Sequence, residues 1–72
     1  MTETPQNTNK AEYEANVLME IQECIYLRNR TKVSQEKISE LLGVSLKTVQ
    51  RFENYKSMNN YLIWGYKKIF KQ

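Results

Sequence analysis

Immediately behind Ser45, the run Leu46-Lys47-Thr48-Val49-Gln50-Arg51 sets long hydrogen-bonding side chains about a helical turn apart. On a helix that buries Val49 and Phe52, at i and i+3, the residues Leu46, Lys47, Thr48, Gln50 and Arg51 turn outward or towards the preceding turn. Lysine and arginine donate to guanine, and glutamine both donates to and accepts from adenine, so this is chemistry for base edges and phosphates. Catalytic chemistry lacks its parts. The chain has no histidine and no aspartate, one cysteine, and only Gly43 and Gly65 as glycines. Zinc sites, histidine-based nucleophiles and glycine-rich phosphate loops are therefore not expected, and neither is a cofactor. Eight glutamates remain, but a chain this short has little room for a water-excluded cleft around them, and no enzyme is expected.

The elements that would position these side chains are helical. From Ala11 to about Asn29, Val17, Leu18, Ile21, Cys24, Ile25 and Leu27 follow the i, i+3, i+4, i+7 spacing of an amphipathic helix. Ser34 is a good N-cap for a short helix from Gln35 to Leu42, with Glu36 in its first turn and Ile38, Leu41 and Leu42 as its apolar stripe. Gly43 follows where a left-handed residue ends a helix, and Ser45 caps the next one, from Leu46 to about Asn54. After a polar connection, Asn60 is positioned to cap a last helix from Tyr61 to about Lys71, with Leu62, Ile63, Tyr66, Ile69 and Phe70 available for packing. Trp64, Tyr66 and Phe70 are read as core aromatics in preference to an interface cluster, and Tyr61 as the better interface candidate. Gly65, inside this helix, either admits a close neighbour or marks a kink.

At 72 residues the chain suffices for one small core. Thr2 to Asn9 has no apolar residue and includes Pro5, so residues 1–9 are expected to be a disordered arm and residues 10–72 the folded domain. Cys24, alone and on an apolar face, reads as an inert packed thiol in a reducing compartment. The longest apolar run, Tyr61 to Trp64, cannot span a bilayer, and a cytoplasmic protein without a membrane partner is expected.

Charge is divided along the chain. Residues 1–26 set Lys10 against five glutamates, a net of −4, whereas residues 27–72 set ten Lys and Arg against Glu36, Glu40 and Glu53, a net of +7. One surface suits phosphate. The other, with Glu12, Glu20 and Glu23 on the first helix, is either a solvated face or a docking face for a basic partner.

Two short helices around a glycine-containing turn describe a helix-turn-helix, over about residues 34–54. Leu27-Arg28, Ser34-Gln35-Glu36, Leu41-Leu42-Gly43-Val44-Ser45 and Thr48-Val49-Gln50-Arg51-Phe52-Glu53-Asn54 resemble the Cro/C1-type helix-turn-helix proteins over about residues 17–70. The resemblance implies a small all-α domain of four to five helices. It places Leu46, Lys47, Gln50 and Arg51 at base-reading positions and Gln35, Thr48 and Asn54 at phosphate contacts. It also implies that Arg28 and Glu53 form a structural ion pair across the core.

Two departures from the family bear on function. Tyr55 stands where glycine is frequent, and Leu46 is apolar where a polar base-reader is common, which suits a protein partner as well as a thymine methyl. In size and motif the chain also resembles the small modulators of repression of temperate lactococcal phages. That resemblance implies a regulator of the lysis-versus-lysogeny switch in a bacterial host cell, which binds a CI-like phage repressor and modulates its DNA binding, with Glu12, Glu20, Glu23 and Leu46 at the partner. The alternative is a Cro-like repressor that binds double-stranded operator DNA directly as a dimer formed through its last helix. A weak homodimer is compatible with either reading, and no small-molecule substrate is expected.

Overall fold

The structure is a computed structural model that describes the backbone of residues 5–70 and the side chains of residues 12–70. Four helices follow one another: α1 (Pro5–Thr31), α2 (Gln35–Leu42), α3 (Leu46–Glu53) and α4 (Asn60–Ile69). No strand occurs among the described residues. The principal dimensions are 47 × 24 × 17 Å. At about 1.5 Å rise per residue, the 27 residues of α1 account for most of the long axis.

The core is one cluster drawn from every helix. Val17, Ile21, Cys24 and Leu27 of α1 meet Ile38 of α2, Val49 and Phe52 of α3, Leu62, Ile63 and Tyr66 of α4, and Phe70, which caps α4. Phe52 and Tyr66 pack ring to ring with centroids 5.3 Å apart. Burial pushes the Cys24 thiol up to about 12 against the lowering by the Lys67 ammonium, which leaves it unreactive near neutral pH.

Several expectations shift at their edges. The first helix begins at Pro5 rather than Ala11, so residues 5–9 are helical where a disordered arm was expected, and residues 1–4 lie outside the described residues. Proline's fixed φ suits a first helical turn, and a lack of apolar residues argues against packing, not against helix. The α4 cap is Asn59, one residue earlier than expected; its side chain accepts the Leu62 N–H at 3.2 Å. Trp64 is 54% exposed, whereas Tyr66 and Phe70 are buried, because the core face of α4 is set by Leu62, Ile63, Tyr66 and Phe70 and Trp64 lies off it. Leu41 and Leu18 are also exposed, and Leu42 is half-buried.

Gly65 packs against α2. A Cβ built there would stand 2.6 Å from Leu42 Cδ2, so the glycine admits a close neighbour. Tyr61 ties the same two helices by donating its hydroxyl to the Leu42 carbonyl at 2.8 Å.

Three helix ends share one device. Lys32, Gly43 and Tyr55 adopt left-handed φ of 61°, 70° and 62°, and the following amides of Val33, Val44 and Lys56 reach back to the carbonyls of Arg28, Ser39 and Arg51. This is the Schellman arrangement. Glycine takes the left-handed residue without steric cost, but tyrosine and lysine do not. Tyr55→Gly is therefore expected to stabilise the fold by about 0.5–1 kcal/mol, the relief of backbone strain exceeding the added freedom of the unfolded chain. Urea denaturation checks this, and a destabilised variant would show that the exposed Tyr55 ring makes contacts that outweigh the strain.

Candidate functional site

The α2–α3 pair is fixed by short-range sequence chemistry. Ser34 accepts the Lys37 N–H at 3.0 Å and Ser45 accepts the Thr48 N–H at 3.1 Å, so each helix starts on a serine cap. Gly43 closes α2 in the left-handed conformation, and only Val44 and Ser45 separate it from α3.

Burial of Val49 and Phe52 orients α3. Lys47, Gln50 and Arg51 are exposed on it, while Leu46 and Thr48 are half-buried. From Leu46 to Phe52 no residue is acidic, so the exposed side of α3 is cationic and rich in hydrogen-bonding groups. Asn54, at the end of α3, is exposed as well. The structure thus brings Lys47, Gln50 and Arg51 onto one short helix, with Asn54 just beyond it.

Two of the expected phosphate contacts are already engaged. Thr48 shares a hydrogen bond with Ser45 at 2.8 Å as part of the cap. Gln35 donates one N–H of its amide to Glu53 Oε1 at 2.9 Å, which leaves the second N–H and the carbonyl oxygen for other partners. The opening residue of α2 therefore serves the core through one of its two side-chain N–H groups, and only the other can donate to an anion.

Glu53 is the centre of that arrangement. Arg28 donates Nε to Oε2 at 2.5 Å and Nη2 to Oε1 at 2.8 Å, and Tyr66 donates its hydroxyl to Oε2 at 2.5 Å. The remaining Arg28 nitrogen, Nη1, donates to the Val33 carbonyl at 2.9 Å. Burial pushes the Glu53 carboxyl up, but the hydrogen bonds from Arg28, Tyr66 and Gln35 together outweigh it and hold the group below the usual carboxylate range. Burial and the same carboxylate raise the Tyr66 phenol. All four helices are joined through one carboxylate, which makes this a structural network that fixes α3 against α1. The participation of Gln35 and Tyr66 was not foreseen; the only sequence signal was a tyrosine at a core position, whose hydroxyl needs a partner when buried.

The comparisons add nothing to this geometry. No family model, curated protein or solved structure matches the chain.

The second surface lies on α1. Among the described residues, Asn16, Met19, Glu20, Gln22, Glu23 and Tyr26 of this helix line a shallow open depression. Met19 is 66% exposed and Tyr26 59% exposed. Glu12 and Glu23 are exposed too, but Glu20 is held by Lys67 of α4 at 2.8 Å and is partly neutralised. Leu46 sits on α3 and is not among the residues that line the depression. The residues expected at a protein partner are therefore divided between two helices.

Proposed function

We propose that the chain is a transcriptional switch regulator built on a Cro/C1-type helix-turn-helix formed by α2 and α3. It acts by binding a repressor of the same motif class and modulating that repressor's DNA binding, as in the choice between lysis and lysogeny of a temperate phage. The observation that carries this reading is the α1 face, where Glu12 and Glu23 alternate with exposed Met19 and Tyr26 in a chain of net charge +3. Such a face repels phosphate, so a protein that only reads an operator gains nothing from it. A partner with a basic DNA-binding surface matches it in sign and offers apolar contact area.

Direct operator binding is favoured by a different observation, the exposure of Lys47, Gln50 and Arg51 on a helix whose one carboxylate, Glu53, is buried in the core network. In that role α3 would lie in the major groove, with Asn54 at a phosphate. The two readings separate by variants. If the repressor is the main ligand, Glu12→Lys/Glu23→Lys lowers affinity for the repressor's DNA-binding domain about tenfold or more, whereas Lys47→Ala/Arg51→Ala changes DNA binding alone. Isothermal titration with the repressor domain and fluorescence anisotropy with an operator duplex measure the two. Unchanged repressor affinity in the glutamate variant would reject the α1 face as the partner site.

A further inference from the structure

The exposed side of α1 has a pattern that partner charge alone does not account for. Glu12, Asn16, Met19, Glu23, Tyr26 and Arg30 recur at alternating intervals of four and three residues, and all six are exposed. That spacing makes one straight seam along a helix, the spacing used where two helices pair side by side. The seam is charged at its ends with opposite sign, Glu12 near one end and Arg30 near the other.

We propose that a second copy of this chain docks on the seam, with the two α1 helices antiparallel. A two-fold axis at the level of Ile21 sets Glu12 opposite Arg30 of the second copy, Asn16 opposite its Tyr26, and Met19 opposite its Glu23. Each end then carries an ion pair, the Tyr26 hydroxyl meets an amide, and Met19 packs on the methylenes of a glutamate. A parallel arrangement instead stacks Glu12 on Glu12 and Glu23 on Glu23, which like-charge repulsion disfavours. Glu20, beside the seam, is already paired with Lys67, so the two-fold axis does not bring two uncompensated carboxylates together there. With only Met19 and Tyr26 as large apolar members, the pairing is weak and concentration-dependent. It covers Glu12 and Glu23, and would compete with the docking of a repressor on the same face. The inference stands on the seam itself and does not rest on the proposed function.

Sedimentation equilibrium of the full chain from about 10 µM to about 1 mM at low salt tests it, alongside amide chemical shifts over the same range. A monomer–dimer equilibrium is expected, with concentration-dependent shifts at Met19, Glu23 and Tyr26. Glu12→Arg alone and Arg30→Glu alone are each expected to weaken association about tenfold, and the combined variant to restore it, because the exchanged charges again face each other. The variants lie on an exposed face, and far-UV circular dichroism verifies that they fold. A monomer at every concentration, or a combined variant no better than the single ones, overturns the proposal. So do seam signals that stay still on self-concentration and move only when a different protein is added.

Discussion

Arg28→Met is expected to destabilise the fold by about 3–5 kcal/mol, the cost of leaving a buried carboxylate without its cation. Glu53 is 8% exposed and would retain only the Tyr66 hydroxyl and the Gln35 amide. The Arg28 side chain is itself only 15% exposed, so solvent screening offers little relief. The double variant Arg28→Met/Glu53→Gln should recover part of the loss, since a neutral amide removes the buried charge, and its oxygen can accept from Gln35 while its NH2 donates to the Tyr66 hydroxyl oxygen. Chemical denaturation measures all of these, and a loss below about 1 kcal/mol for Arg28→Met would contradict the role given to the pair.

The same network sets a pH dependence. Because the folded state holds the Glu53 carboxyl below its ordinary value, the network contributes its full stability above the unfolded carboxylate's range, near pH 4.3. That contribution is lost as pH falls from the unfolded value through the lower, folded one, below which both states carry the proton. The difference in stability between the native chain and Glu53→Gln should therefore shrink on acidification from neutral pH. A difference that grows would mean that Glu53 is protonated in the fold at neutral pH.

Gly65→Val carries the second large effect, an expected loss of about 2–3 kcal/mol from overpacking. The added Cβ alone would come within 2.6 Å and 2.7 Å of the two Leu42 methyls and 3.2 Å of Leu42 Cγ. Leu42 is half-buried against the core and must turn or move outward with the end of α2. Gly65→Ala is milder, because alanine regains about 1 kcal/mol of helix propensity. A cycle with Leu42→Ala decides the mechanism: shortening the leucine should cancel most of the cost of Gly65→Val, whereas an effect due to helix propensity or a kink would be additive. Since Leu42 directly precedes Gly43 and the turn into α3, the loss should also loosen the α3 surface.

Local rules were legible where one residue decides the outcome. Ser34, Gly43 and Ser45 announce the caps and turn of the α2–α3 pair, and Val49 and Phe52 orient α3, so Lys47, Gln50 and Arg51 emerge exposed as their spacing indicates. What was hidden depends on contacts distant in sequence. Gln35 reads as a free polar residue at a helix start, yet its amide is turned inward by a carboxylate eighteen positions away. Trp64 reads as core by its size, but core membership on α4 belongs to the residues that share the face of Leu62 and Tyr66. Tyr55 reads as a departure from a glycine position, and the backbone keeps the left-handed conformation all the same, because the Phe52 and Arg51 carbonyls still need donors. The acidic side of α1 was visible as composition, whereas the pairing of Glu20 with Lys67, which removes one charge from it, required the packing of α1 on α4.

The central claim is that the chain works through a repressor partner, and one titration tests it most directly. The isotopically labelled protein is mixed with the DNA-binding domain of a Cro/C1-type repressor from the same source, and separately with a random duplex of about 20 base pairs at about 50 and 200 mM salt. The account predicts that the amides of Glu12, Met19, Glu23 and Tyr26 shift with the repressor domain at both salt concentrations, and that any DNA response at Lys47, Gln50, Arg51 and Asn54 fades at the higher one. Still signals along α1 with the repressor, together with salt-resistant shifts along α3 with DNA, would contradict it and identify a protein that binds DNA directly.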